Sequence, residues 1–504
     1  MLDIKNLTLK TIKGEKEIIK DLNLTINDND KIAIIGEEGN GKSTLLKCIY
    51  NQDLIKDYII VTGKIVKNNL NIGYLEQFLD SEWNTQLVSE YFLKDEACSE
   101  IDYEKYSEIY KLDSIFKKLN LDYDKFENNL IGNLSGGEKV KIQIAKILLN
   151  SPDLLLLDEP TNDIDIETLE WLEKFILESK VPVVFISHDE VLLENVANGI
   201  LHLEQINNKT KAKYTIEHIG YKEYIEKRKY LLERQYQISR NEKREHEKQL
   251  DKINDMYNSV RHDLEGVSRQ NPGAGRLLKK KMKNVKSMRN RIEDKTLTKA
   301  PDVEEKIFAK FHNEDEIHNS KIILDYYLDE LKVENNILKK DIHIQIIGKE
   351  KVCIVGKNGT GKTTLIKRIY ENMKNRDDLK VGYMPQNYDE LLKSNITCVE
   401  FLRIDYTKEE ETNIRTYLAS MKFTESEIVS PVTSLSGGQK AKLFIVKLIL
   451  EKANVLILDE PTRNLSPISN PVIRNLLKKF DGTIISVSHD RKFIEEVCTR
   501  VIEF

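Results

Sequence analysis

A chain of 504 residues, 40% apolar and 32% charged, can bury a core without disulfide or metal staples, and at roughly 150 residues per domain about three domains are expected. No apolar run approaches the ~18 residues of a spanning helix, and Met1-Leu2-Asp3-Ile4 opens into strand-like alternation rather than an export leader. A helical membrane protein is therefore excluded and a cytoplasmic one expected. The formal charge of −5 hides a contrast, because residues 221–300 hold 22 Lys/Arg against 12 Asp/Glu.

In chain order, the apolar run Ile32–Ile35 reads as a strand, and Thr44-Leu45-Leu46 as the start of a helix. Between them stands Gly36-Glu37-Glu38-Gly39-Asn40-Gly41-Lys42-Ser43, a phosphate-binding loop in its strand–loop–helix setting. Its glycines let backbone N–H groups wrap phosphates, Lys42 reaches the β/γ oxygens, and the Ser43 hydroxyl ligates Mg²⁺. The five cysteines (Cys48, Cys98, Cys353, Cys398, Cys498) are widely spaced and never Cys-x-x-Cys, which reads as reduced thiols. Next come Gln77 and the string Leu134-Ser135-Gly136-Gly137-Glu138. The strand-sized run Leu154–Leu157 leads into Asp158-Glu159-Pro160-Thr161. A carboxylate at the end of a buried strand, Asp158, suits Mg²⁺ or its water ligands, and Glu159 suits a general base. A second run, Val181–Ile186, ends at Ser187-His188-Asp189, where His188 is placed to sense a terminal phosphate.

Residues 205–318 form a linker too long for an ordinary loop and too charged for a third core. Leu250, Ile253, Tyr257, Val260 and Leu264 recur at coiled-coil spacing, and after the breakers Gly266 and Asn271-Pro272-Gly273 the pattern resumes at Leu278, Met282, Val285 and Ile292. This predicts an antiparallel helical hairpin with its tip near 265–275, its first arm reaching roughly 65 Å at 1.5 Å per residue. Residues 266–292 carry nine cations and no acid: Arg269, Arg276, Lys279, Lys280, Lys281, Lys283, Lys286, Arg289 and Arg291. Most charged runs are solvated helix faces, but this imbalance needs an anionic partner, and nucleic acid is the usual one.

Beyond the linker the first set of motifs repeats. The loop Gly356-Lys357-Asn358-Gly359-Thr360-Gly361-Lys362-Thr363, then Thr364, follows Val352–Val355. After it come Gln386, Leu435-Ser436-Gly437-Gly438-Gln439, Asp459-Glu460-Pro461-Thr462 and Val487-Ser488-His489-Asp490. From signature serine to histidine the two copies stand a constant 301 residues apart. Two nucleotide-binding modules, 1–204 and 319–504, therefore flank the linker.

With its paired Leu-Ser-Gly-Gly strings the chain resembles the ATP-binding cassette (ABC) superfamily over about three quarters of its length. The resemblance implies an α/β fold: two tandem ABC-type domains joined by a long antiparallel α-helical hairpin, with antiparallel and helical subdomains. It implies two Mg²⁺–ATP sites, each made of one cassette's phosphate loop and the other's signature. The loops Gly36–Thr44 and Gly356–Thr364, with Ser135–Glu138 and Ser436–Gln439, would bind ATP. Ser43, Gln77, Asp158, Thr363, Gln386 and Asp459 would hold the metal, and Glu159, Glu460, His188 and His489 would be catalytic. One chain holds both halves, so a monomer suffices. The copies differ where Asp165 is replaced by Ser466, which puts equal turnover in doubt. No aromatic stands near residues 9–13 to stack on adenine, Tyr326 and Tyr327 being loose candidates in the second half, so nucleotide selectivity is open.

Twin cassettes with a long basic helical linker resemble the ABC-F family of ribosome-binding ATPases. The second-cassette string Glu460-Pro461-Thr462-Arg463-Asn464-Leu465-Ser466-Pro467, then Ser469-Asn470-Pro471 and Ser486 to Arg491, resembles its antibiotic-resistance branch, the Vga/Lsa/Sal-like ribosomal protection proteins. The stretch from Gln77 to Leu134 leaves room for a short arm (about 80–133), and the chain stops at Phe504, 15 residues after His489, which reads as no C-terminal extension. The likeness implies binding of the 70S ribosome in its exit-tRNA site, with 23S rRNA and P-site tRNA as contacts, and release of drugs from the peptidyl-transferase centre. A housekeeping translation factor of the same family stays open. A transporter ATPase would need membrane subunits and leave the linker without use, and a DNA-repair ATPase would carry its coiled coil inside one cassette.

Overall fold

Near-continuous apolar runs such as Leu154–Leu157 suit strands buried on both faces, a setting that a parallel sheet covered by helices provides. In the computed structural model, which describes residues 1–97, 99–103, 110–206, 209–266, 272–301, 311, 317–333, 336–392 and 395–504, these runs lie side by side. The first cassette's sheet has the order Ile72–Leu75, Leu154–Asp158, Val183–Ile186, Lys31–Ile35, Gly199–Ile206, Lys211–Glu217. Its pairs are parallel except the last, which is antiparallel. The second cassette repeats the plan with Val381–Met384, Val455–Asp459, Thr483–Val487, Lys351–Val355 and Arg500–Glu503, all parallel.

An antiparallel layer accompanies each sheet. In the first cassette Leu2–Thr11 pairs with both Glu17–Ile26 and Ile59–Val66, and in the second Ile322–Val333 pairs with Asn336–Ile347. Leu7, Leu9, Leu22 and Leu24 of that layer join Ile34, Leu45 and Leu156 in one core. A helical layer carries the signature strings: Gly136–Leu149 with Tyr110–Lys118, and Gly437–Leu450 with Lys408–Ser420. In the stretch expected to hold a short arm, Cys98 and residues 104–109 lie outside the described residues. Cys48, Cys353, Cys398 and Cys498 are free thiols.

The first cassette's sheet runs past the boundary expected at 204, because Lys211–Glu217 adds an edge strand to Gly199–Ile206. The alternation Ala212, Tyr214, Ile216 against lysines, threonine and glutamate is a half-buried strand pattern that the surrounding charge had disguised. Residues Met1–Tyr221 and Glu304–Phe504 form one compact unit and Lys222–Val303 another.

The second unit is built on the helices Tyr221–Glu265 and Pro272–Glu293. Ile253, Val260 and Val285 are buried, and Leu250, Tyr257, Leu264, Leu278, Met282 and Ile292 half-buried, so the expected seam is present. The arms run antiparallel: His246 Nε2 lies 2.8 Å from the Ile292 carbonyl, and Glu242 accepts the Thr298 N–H at 2.8 Å. A seam this narrow depends on each apolar side chain. Val260→Asp should therefore accelerate amide hydrogen exchange along both helices while leaving Leu154–Asp158 and Val455–Asp459 protected, because it buries an unpaired carboxylate in a unit that packs by itself. Equal acceleration in the cassette strands would show that the hairpin is not an independent unit.

Candidate nucleotide-binding sites

Open α/β sheets bind ligands at the carboxyl ends of their strands, and the residues of both candidate sites gather there. Strand Lys31–Ile35 runs through the first phosphate loop into helix Lys42–Tyr50, and Lys351–Val355 through the second into Lys362–Met373. Gly41 and Gly361 cap these helices with left-handed backbone, φ 85° and 98°. A Cβ there would overlap Ile18 in the first loop and Leu338 in the second, so glycine meets both demands. Lys42 Nζ donates back to the carbonyls of Gly36 (3.0 Å) and Glu37 (3.1 Å), and Lys362 Nζ to those of Gly356 (2.8 Å) and Lys357 (2.7 Å). Gly39 and Gly359 turn the loops at φ 80°. Asn40 pins the first loop to the Leu203 carbonyl at 2.9 Å, and Thr360 bonds within the second to Lys357 O at 2.9 Å. Thr44 and Thr364 follow in the first helical turns.

Of the expected metal ligands, Ser43 meets Asp158, and Thr363 lies close to Gln386 and Asp459, whereas Gln77 turns to Glu159 instead. Ser43 Oγ donates to Asp158 Oδ1 at 2.9 Å, while Thr363 Oγ1 stands 3.4 Å from Gln386 Oε1 and 3.5 Å from Asp459 Oδ1. Burial pushes both Asp158 and Asp459 up to about 6, so each carboxylate gains from a cation beside it. Asp459 Oδ2 is buried without a hydrogen-bond partner, an acceptor that a hydrated Mg²⁺ fits. No cluster of three His, Cys, Asp or Glu that could hold a metal occurs among the described residues.

Glu159 and Glu460 both adopt left-handed backbone, φ 50° and 53°, strain that turns each carboxylate off the end of its strand. Their surroundings differ. Glu159 accepts from Gln77 Nε2 at 3.0 Å, Asn162 Nδ2 at 2.7 Å and His188 Nε2 at 3.2 Å. Burial alone would raise it, but His188 above all, with Lys42 and Asn162, holds it down at about 2. Glu460 accepts the His489 backbone N–H at 3.3 Å, with His489 Nε2 at 3.7 Å. Burial, reinforced by Asp459, pushes it up to about 8. Burial and the nearby Lys362 also lower His489, to about 4. Gln77 thus reaches the glutamate, whereas Gln386 reaches the threonine hydroxyl.

The signature serines cap their helices. Ser135 and Glu138, like Ser436 and Gln439, close capping boxes in which each side chain meets the other's backbone N–H. The side chains of Glu138 and Gln439, expected among the nucleotide contacts, are thereby committed to helix ends. Each phosphate loop meets the opposite cassette. Gly438 N–H donates to Glu38 Oε2 at 2.6 Å, and Lys442 Nζ lies 3.6 Å from Glu37. In the second loop Asn358 Nδ2 donates to Asp163 O at 2.6 Å and Lys357 pairs with Glu167 at 2.8 Å. Between the second loop and the first cassette lies a cavity of about 730 Å³, lined by Lys362, Thr363, Asp459, Glu460 and His489 with Gly136 and Asp163 from the first cassette. A separate crevice of about 30 Å³ is lined by Glu37, Glu38, Ser436, Gly438 and Lys442 and does not include Lys42 or Ser43. Asp165 caps helix Ile166–Glu178 through the Thr168 N–H at 3.0 Å, while its counterpart Ser466 bonds Ser469 at 2.9 Å.

Several contacts could not be anticipated. Arg463, where the first copy has Asn162, crosses to Asp163 at 2.8 Å. Arg474, 2% exposed, forks onto Glu190 at 2.6 and 3.1 Å, and Arg491 reaches Asp189 (2.8 Å) and Glu173 (3.0 Å). Only the divergence of copies at 162 and 463 signalled any of this. In the hairpin, Arg276, Lys279, Lys280, Lys281, Lys283, Lys286, Arg289 and Arg291 are exposed, with Arg289 also paired to Glu293 at 2.8 Å, and Arg269 lies outside the described residues.

The family model described as ABC transporter matches residues 19–162 and 339–463, both cassettes. The putative ATP-binding protein YdiF of Bacillus subtilis (strain 168) is 31% identical over 97% of this chain and 78% of its own length. Ribosome protection protein VmlR of the same organism is 27% identical over 96% and 83%. Among solved structures, the complex of archaeal ribosomal stalk protein aP1 with archaeal ribosome recycling factor aABCE1 aligns at a TM-score of 0.60 and 17% identity, covering 99% of this chain and 87% of that one; this likeness concerns the fold. The chain belongs to the ATP-binding cassette family. Within that family it is an ABC-F ATPase, and its reaction is ATP hydrolysis. No helix among the described residues is long and apolar enough to cross a membrane.

The opposite displacements of the twin glutamates have opposite consequences for stability. Glu159, held below its unfolded value of about 4.5, stabilises the fold above that pH and loses the contribution as pH falls toward about 2. Glu460, raised to about 8, costs stability once the unfolded chain ionises, increasingly from about 4.5 to 8. In thermal melts of the nucleotide-free protein, Glu159→Gln should lower the midpoint by a few degrees throughout pH 6–8. Glu460→Gln should raise it, most at pH 8 and scarcely at pH 5. Shifts of the same sign in both variants would contradict the described asymmetry.

Proposed function

We propose that this ATPase binds the ribosome in its exit-tRNA site and protects it from antibiotics acting at the peptidyl-transferase centre, of lincosamide, pleuromutilin and streptogramin A type, by promoting drug release. The observation that carries the ribosomal half is the hairpin's second helix. Arg276, Lys279, Lys280 and Lys283 recur there at helical spacing, all exposed, and acids are absent from 266–292. Such a row neutralises phosphates, so its partner is rRNA or tRNA. The likeness to VmlR supports the protective half.

Two ATP molecules are held between the cassettes, each by one phosphate loop and the opposing signature. Mg²⁺, when bound through Ser43 or Thr363 with Asp158 or Asp459 and the loop glutamines, neutralises the β- and γ-phosphates. Glu159 and Glu460 orient and deprotonate water, and His188 and His489 steady the terminal phosphate. ATP keeps the cassettes closed and the protein on the ribosome, and hydrolysis lets it leave. The protein acts as a monomer without a membrane subunit.

A housekeeping translation factor is the second reading, since YdiF, whose name speaks of ATP binding and not of ribosome protection, is 31% identical against 27% for VmlR. Drug-susceptibility testing with and without expression separates the two. Glu159→Gln/Glu460→Gln should slow hydrolysis by about 10²–10⁴-fold and trap the protein on ribosomes in pelleting assays with ATP but not ADP. Adding Lys279→Glu, Lys280→Glu and Lys281→Glu should abolish pelleting. Equal pelleting without nucleotide would reject ATP-gated binding.

A further inference from the structure

We propose that Glu38 opposes ATP at the first site: its carboxylate occupies the anion position at the opposing signature helix, so ATP enters by displacing it and fills this site after the second. The proposal deepens the reading that each phosphate loop works with the opposite signature.

The internal repeat supplies the comparison. Glu37-Glu38 of the first loop stand where the second has Lys357-Asn358, so the first loop carries two acids and Lys42 and the second carries Lys357 and Lys362. The outer pair is offset across the interface, Glu37 against Lys442 at 3.6 Å and Lys357 against Glu167 at 2.8 Å. The inner pair is not equivalent. Asn358 donates to the Asp163 carbonyl, leaving a neutral group in the second loop. Glu38 accepts the Gly438 N–H at 2.6 Å, a short charge-assisted bond. Gly438 lies in the first turn of the 14-residue helix Gly437–Leu450, whose free N–H groups and dipole favour an anion. A terminal phosphate lodged there needs the same N–H. It also brings negative charge against Glu38, so carboxylate and phosphate exclude each other.

The competition concerns the γ-phosphate, which sets a signature distinct from a merely structural contact. ADP occupies the phosphate loop without reaching Gly438, so Glu38 should penalise ATP and spare ADP. Titrations of the full-length chain with Mg²⁺–ATP and Mg²⁺–ADP test this in the Glu159→Gln/Glu460→Gln background. Lys362→Ala isolates the first site and Lys42→Ala the second. With Lys362→Ala present, Glu38→Asn should tighten ATP roughly ten-fold and ADP by less than about two-fold, and Glu38→Gln should do the same. With Lys42→Ala present, Glu38→Asn should change neither. Unchanged or weaker ATP binding at the first site, or equal tightening of ADP, would overturn the proposal. If Lys42→Ala removed no ATP at all, the underlying assignment of the loops would fail instead, a distinguishable result.

Discussion

The arrangement depends on the pairing of Arg474 with Glu190 across the interface between the cassettes. Both side chains are almost fully buried, at 2% and 5% exposure, and the guanidinium also reaches Glu496 at 2.9 Å. Two buried charges that satisfy each other add little net stability over apolar packing, but either one left alone is costly, so such a pair punishes misalignment. Register between the halves matters because each phosphate loop touches the opposite cassette: Glu38 meets Gly438, and Asn358 meets Asp163. A slip of a few ångströms would separate loop from opposing helix at both sites together.

Sequence carried the chemistry further than the geometry. Asp158, Glu159 and His188 were legible because each follows an apolar strand and returns after a fixed interval, and the structure gathers them at the strands' carboxyl ends. The hairpin seam was legible for the same reason, a period matched to its helix. What could not be read depends on how distant segments face each other. Arg474 sits in a short helix where arginine ordinarily means solvent, and 284 positions separate it from Glu190. The left-handed backbone at Glu159 and Glu460 has no sequence signal, since glutamate is not a residue that favours it. The edge strand Lys211–Glu217 was visible in its alternation but masked by lysines.

Duplication gave two sites of the same parts, and small replacements made them different. Asn162 anchors Glu159, whereas Arg463 at the matching position abandons Glu460 for the other cassette. Burial, with fewer donors to offset it and Asp459 beside it, raises Glu460, while Glu159 is depressed. The loops diverge as well, acidic in the first and basic in the second.

The ionic contacts around Arg474 have a polarity. Glu173, Asp189, Glu190 and Glu194 come from the first cassette, whereas Arg474, Arg491 and Lys492 come from the second. Were two first cassettes from separate molecules to meet through this surface, acid would face acid, and two second cassettes would set cation against cation. Across this surface each half is therefore complementary in charge to the other half and not to itself.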